Sequence, residues 1–139
     1  MKKYFDLKFV FFLFCGVWLM AQDALAQFYI STYERTDAYW ENAKEEWKVT
    51  NQDDNATLFE FNEEMTMFKH TTNSISSTYY IKESYYDEPN ERYELSILSD
   101  VGNKYTMIID LANENLRFIY EKNGTSYLVQ HSIKKAWTN

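Results

Sequence analysis

Hydrophobic and polar residues alternate with a period of two along most of the second half of the chain. In one segment, Tyr93, Leu95 and Ile97 fall on one face while Glu94 and Ser96 fall on the other. Side chains of a β-strand point alternately to its two faces, so this pattern predicts half-buried strands. Together with segments rich in aromatic and β-branched residues, it predicts strands at 28–35, 57–62, 65–71, 75–86, 91–100, 104–111, 116–121 and 127–133.

Short polar segments separate these strands. Asn123-Gly124 is the strongest turn signal, because a two-residue type I′ turn needs a positive φ at both positions. Connections this short force neighbouring strands to be antiparallel, which gives a meander. A meander of about eight strands tends to close into a small up-and-down barrel, since closure removes exposed edges. The predicted fold class is therefore all-β, with a two-sheet β-sandwich as the alternative.

Three segments do not follow the strand pattern. Trp40, Ala43 and Trp47 share one helical face, so a short helix is predicted at 37–47, with a second strand after a turn at Asn42 as the alternative. Residues 51–55 are all Asn, Gln or Asp and predict a turn. The tail from Lys134 to Asn139, apart from Trp137, is expected to be loose.

The first 26 residues differ in character from the rest. Lys2 and Lys3 precede an uncharged apolar run from Phe9 to Ala21, and Ala24-Leu25-Ala26 follows. This is the pattern of a secretory signal peptide, and the run is shorter than the roughly 20 residues needed to span a bilayer. We therefore expect cleavage after Ala26, a single domain at 27–139, a secreted or periplasmic location and no membrane span in the mature chain.

Composition and charge narrow the class of protein. The chain has 139 residues, of which 45% are hydrophobic and 19% aromatic, and this supports one packed domain rather than a disordered chain. Its formal net charge of −7 argues against binding nucleic acid. Cleavage would remove three lysines and two aspartates, so the mature chain would be slightly more acidic. It would also lose Cys15, the one cysteine, and have no thiol.

The strand count and spacing over residues 28–133 resemble those of small secreted β-barrels of the lipocalin-like or calycin kind. They also resemble the small periplasmic barrels that inhibit lysozymes. The resemblance implies an exported binding protein. It rests on layout alone, because no family motif is matched and the glycine pattern of those families is missing. No functional residue is carried over from it.

Candidate catalytic and metal chemistry is sparse. The chain has no phosphate-binding glycine loop, nucleophile elbow or zinc-type Cys/His spacing. His131 has the strand parity of Val129 and Ile133, which would place it inside a barrel near His70 as a weak metal or haem ligand candidate. The alternative is an ordinary strand or surface histidine. We therefore expect no cofactor and no enzyme activity, with a metal-dependent enzyme as the minor alternative.

Two binding functions fit the pattern. The first is carriage of an apolar small molecule inside the barrel. The second is a protein-binding module, such as an inhibitor of a basic enzyme or an envelope sensor, because acidity speeds association with a basic partner. Tyr80 and Tyr86 are the candidates for its surface, because tyrosine is enriched at interfaces. The candidate cavity residues are the inward hydrophobics Phe59, Phe61, Tyr93, Met107 and Phe118.

Overall fold

The computed structural model describes residues 27–139, so the predicted signal peptide lies outside the described residues. This part of the chain contains eight β-strands and no helix, and none of it could cross a membrane as a helix. The strands are β1 (Phe28–Glu41), β2 (Glu46–Phe61), β3 (Met67–Thr71), β4 (Ser76–Asp87), β5 (Arg92–Ser99), β6 (Lys104–Asp110), β7 (Asn115–Lys122) and β8 (Thr125–Thr138).

The strands form a closed antiparallel meander in chain order, and β8 pairs with β1 to close the barrel. The all-β class and the up-and-down barrel are confirmed, and the sandwich alternative is excluded. Asn123 and Gly124 have φ angles of 53° and 81°, as the predicted hairpin turn requires. We call the end with the turns at 42–45, 72–75, 100–103 and 123–124 the upper end, and the opposite end the lower end.

The predicted helix at 37–47 is wrong. Asn42 to Glu45 form a turn, and the β1–β2 hairpin continues on both sides of it. Trp40 lies directly opposite Trp47, with ring centroids 5.4 Å apart. A seven-residue spacing that suits one helical face also fits two facing positions of a hairpin, which explains the error.

The predicted turn at 51–55 is also wrong, because these residues continue β2. Asn51 pairs with Asp37 and Asp53 pairs with Arg35 across the β1–β2 ladder. Their polar composition reflects exposure to solvent rather than a turn.

The C-terminal tail is not loose. Ala136 and Trp137 pair with β1, and the Trp137 ring stacks on Tyr29 with centroids 5.2 Å apart. The tail therefore forms part of the seam that closes the barrel.

The core fills the lower part of the barrel interior. Ile109, Leu111 and Leu116 are fully buried near the β6–β7 turn. Above them lies a cluster of aromatic rings, in which Phe61 and Phe68 have centroids 4.9 Å apart. The lower interior is therefore occupied by side chains, and the remaining space is at the upper end.

Candidate ligand-binding site

A cavity of about 160 Å³ lies inside the upper end of the barrel. Every strand except β2 and β5 contributes a side chain to its wall. The lining residues combine aromatic rings, two imidazoles and one guanidinium: Arg35, His70, Tyr79, Tyr105, Phe118, Tyr120, Val129 and His131.

Strand register brings the two histidines together. His70 lies opposite Phe59 across the β2–β3 ladder, and its ring stacks on the Phe59 ring with an interplanar angle of 3°. His131 on β8 lies opposite Leu116 and is 1% exposed. The two imidazole centroids are 6.0 Å apart and nearly perpendicular. They form the floor of the cavity.

Both histidines are neutral at physiological pH. Burial, with a smaller contribution from the Arg35 cation, lowers the pKa of His70 to about 4. Burial lowers the pKa of His131 to about 3, with help from His70 and Arg35, while Asp37 acts in the opposite direction. A neutral imidazole offers one hydrogen-bond donor and one acceptor.

Each imidazole keeps one buried nitrogen without a hydrogen-bond partner among the described residues. These atoms are Nε2 of His70 and Nδ1 of His131. Buried polar atoms are nearly always satisfied in folded proteins, because an unmade hydrogen bond costs about 1–3 kcal/mol. Four further buried side-chain atoms also lack a hydrogen-bond partner among the described residues, on Glu41, Arg92, Asn115 and Arg117. The site is therefore defined by its lining side chains rather than by the two imidazole nitrogens.

Arg35 is held at the cavity by Asp37. Its Nε and one terminal nitrogen both donate to Oδ1 of Asp37, at 3.1 and 3.0 Å. A register shift near Tyr33 lets Arg35 face inward, although Thr32, three residues earlier, also faces inward. Strict alternation from the sequence assigns these two residues to opposite faces, so sequence reasoning missed Arg35.

Three tyrosines form the upper wall. Tyr105 makes edge-to-face contacts with Tyr79 and Tyr120, with centroids 5.9 and 5.4 Å away. Burial raises the pKa of both Tyr79 and Tyr120, so their hydroxyls stay protonated. In the sequence, these three tyrosines are distinguished only by their inward-facing positions on β4, β6 and β7. Core residues occupy the same kind of position.

The five predicted cavity residues all lie in the barrel interior, at different depths. Phe118 lines the cavity, and Phe59 stacks beneath His70. Phe61, Tyr93 and Met107 belong to the packed core below.

The two predicted surface tyrosines have different environments. Tyr80 is 42% exposed on the outer face, with the Lys82 ammonium 6.0 Å from its ring centre. A register shift between Ile81 and Glu83 reverses the faces, so Tyr86 lies opposite the buried Tyr93, with ring centroids 4.6 Å apart, and keeps 36% exposure. Tyr85, at 64% exposure, is the outward member of that doublet.

His70 and His131 are the residues at this site whose side chains commonly bind metal ions. The described residues contain no group of three or more side chains placed to hold a metal ion. The Arg35 cation acts on both imidazoles and opposes a second positive charge between them. The arrangement therefore suits a hydrogen-bonding organic ligand better than a metal.

These features define a small up-and-down β-barrel with a compact, partly polar cavity at one end. No protein-family model, curated protein or solved structure matches the chain.

Proposed function

We propose that the protein binds a small organic molecule, about the size of one aromatic ring, at the upper end of the barrel. The supporting observation is the cavity of about 160 Å³, which is lined by two neutral histidines, one arginine and several aromatic rings. An apolar protein cavity of about 150 Å³ is large enough to bind benzene.

The filled lower interior limits the size of this ligand. Pockets for drug-sized molecules usually measure about 300–1,000 Å³. Phe61, Tyr93 and Met107 occupy the space into which a long apolar chain would extend. We therefore expect a ring-sized ligand with an apolar body and a polar group rather than a long apolar molecule.

Blocking the cavity tests this proposal. Val129 lines the cavity, so Val129→Trp should fill it. The matched control is Leu128→Trp, because Leu128 is the neighbouring half-buried residue on the opposite face of β8. A library of ring-sized fragments would be screened by ligand-observed NMR, with dissociation constants from calorimetry.

We expect fragments that bind the wild type and the Leu128→Trp variant but not the Val129→Trp variant. Binding that survives Val129→Trp, or a library with no binder, would contradict the proposal. Thermal melting of each variant shows that it is folded.

A protein-binding role is the second candidate, and the outward face of β4 supports it. Tyr80 and Tyr85 are both exposed there, 42% and 64%. A basic partner would bind this face and be released by salt, because the chain is acidic. Pull-down with wild-type protein, Tyr80→Ala and Tyr85→Ala tests it, and equal capture by all three would count against this surface.

Export and the absence of catalysis belong to the same proposal. The protein would act outside the cytoplasm as a binding protein, after cleavage following Ala26. Intact mass spectrometry of protein from its source is expected to show a chain that begins at Gln27. The same spectrum under native conditions would report any ligand that remains bound. A full-length mass would contradict the cleavage.

A further inference from the structure

We infer that the ligand carries an acidic group, and that Arg35 binds this group while the aromatic wall holds a ring. The ligand class is a small aromatic carboxylate. The inference rests on the proposed function, because it names the chemistry that the same cavity selects. Three observations support it: the position of Arg35, the charges around the cavity floor and the hydrogen-bonding groups that converge there.

Arg35 is the one cationic side chain among the lining residues of the cavity. Its contacts to Asp37 use two of the five N–H groups of a guanidinium. Both contacts go to the same carboxylate oxygen, so the remaining donors stay available to a second acceptor. Arginine is well suited to this role because its planar fork matches the geometry of a carboxylate.

The charges around the floor favour an anion over a cation. The Arg35 cation lowers the pKa of both histidines, whereas Asp37 acts on His131 alone and as the smallest contribution. Asp53 lies opposite Arg35 on β2, is exposed, and forms no ion pair with it in the described structure. At both imidazoles the Arg35 cation therefore outweighs Asp37, whereas at the Tyr120 hydroxyl the contribution of Asp37 is the larger of the two.

The neutral groups in the cavity complement the same ligand. Protonated hydroxyls of Tyr79 and Tyr120 are donors, and each neutral imidazole can donate from one nitrogen. A carboxylate is an acceptor with about four lone-pair sites, so it can use several of these donors at once. The rings of Phe118 and Tyr105, which meet edge to face at 6.1 Å, leave aromatic surface for the ring of the ligand.

Calorimetry with benzoate and with benzamide distinguishes the contribution of the acidic group to binding from that of the ring. The two compounds have nearly the same shape, but benzamide is neutral. The proteins compared at pH 7 are the wild type, Arg35→Gln, Asp37→Asn and Lys69→Gln. Lys69 is the control because it lies next to His70, is exposed, and gives the same change in net charge as Arg35→Gln.

The two cavity variants should act in opposite directions on benzoate. Arg35→Gln should weaken benzoate about tenfold or more, since it removes a charged hydrogen bond. Asp37→Asn should tighten benzoate by about twofold or more, because it removes a competing carboxylate. Benzamide affinity should change by less than about twofold in both variants, and Lys69→Gln should match the wild type for both compounds.

The other possible results contradict either the acidic-group inference alone or the proposed function as well. If benzamide binds as tightly as benzoate and Arg35→Gln changes neither, the cavity binds small molecules but the acidic-group inference is wrong. If both variants weaken both compounds, Arg35 has only a structural role, and the inference is again wrong. If neither compound binds and the fragment screen also finds no binder, the proposed function fails together with the inference.

Discussion

At the scale of single residues, the buried histidines link stability to pH. Burial lowers the pKa of His131 to about 3 and that of His70 to about 4, whereas an unfolded histidine titrates near 6.5. The unfolded chain therefore takes up protons between these values while the folded chain does not. The contribution of these histidines to the unfolding free energy is therefore fully present above pH 6.5 and is lost as the pH falls towards 3.

His131→Gln should remove part of this pH dependence. Between pH 7 and pH 5, wild type should lose about 2 kcal/mol more of its unfolding free energy than the variant. Urea denaturation at several pH values measures the difference. Arg35 and Asp37 are unchanged in both proteins, so their contributions cancel in the comparison. Lys69→Gln should keep the wild-type dependence of unfolding free energy on pH. If His131→Gln also shows the wild-type dependence, the low pKa of His131 is refuted.

Asp110 is the second residue for which a strong effect is expected. It is 3% exposed, and its Oδ2 accepts from Arg117 and from the Asn113 side chain, each at 3.0 Å. Its Oδ1 also accepts from the Asn113 backbone at 3.3 Å, which holds the β6–β7 turn. Asp110→Ala would leave a half-buried guanidinium without this partner.

We expect Asp110→Ala to cost about 2–4 kcal/mol of unfolding free energy, measured by urea denaturation. Asp54→Ala is the matched control, because Asp54 is exposed on β2 and its replacement should change stability by less than about 0.5 kcal/mol. Equal, small effects of the two substitutions would show that the Asp110 network contributes little.

At the scale of strands, the short β3 leaves part of its neighbour without a partner. β3 pairs with β2 along Leu58–Phe61 only. Above this point, no strand within residues 27–139 pairs with the side of β2 that faces away from β1. Free edges invite pairing with other chains, and natural edges carry charges and bulges that prevent it. Here Asp53 and Asp54 supply charge, and register shifts interrupt the ladder on either side of 51–54.

Replacing these two charges should expose the edge. Asp53→Thr/Asp54→Thr is expected to self-associate with increasing concentration in sedimentation velocity, while wild type does not. Glu63→Thr/Glu88→Thr removes the same charge from exposed turns and should remain like wild type. Association of both double variants would mean that net charge, rather than the strand edge, controls it, and association of neither would show that these aspartates do not protect the edge.

The strands also show where sequence patterns are ambiguous. Segments with one face in the core, such as β5 and β6, were predicted within one or two residues because burial imposes alternation. The upper half of β2 is exposed and therefore has no alternation to detect. Its Asn and Asp residues look like a turn, but pairing with β1 holds them in a strand.

At the scale of the whole molecule, short turns and strand count were enough to predict the closed barrel. The site was harder to predict, because its residues come from six strands and depend on register. The inward positions of His70, His131 and Phe118 follow from parity. Arg35 depends on a register shift near Tyr33, and a shift at Lys82 decides which of Tyr85 and Tyr86 is more exposed. Single-residue bulges of this kind leave no clear mark in one sequence.

The C-terminal tail provides the test of closure. Ala136 and Trp137 pair with Ile30 and Tyr29, so the last residues of β8 cover the lower part of the seam with β1. Deleting residues 134–139 would expose Phe28 and Ile30, which are 2% and 0% exposed, and would remove ladder hydrogen bonds. A loss of at least about 3 kcal/mol in urea denaturation is expected from these two effects.

Deleting Asn139 alone is the control for this truncation, because β8 ends at Thr138. Within the described residues, Asn139 adds only two long hydrogen bonds, to the Gln27 carbonyl at 3.4 Å and, in an exposed contact, to the Tyr29 hydroxyl at 3.2 Å. This shorter deletion should leave the unfolding free energy within about 0.5 kcal/mol of wild type. Tryptophan fluorescence adds a second measurement, since Trp137 stacks on Tyr29 and has the Lys135 ammonium 5.1 Å from its ring centre. Trp40 and Trp47 emit as well, so the measurement uses a Trp40→Phe/Trp47→Phe background, in which early unfolding of the lower seam would change the emission before the global transition. If the 134–139 deletion is as stable as the wild type, this part of the seam does not contribute to the stability of the barrel.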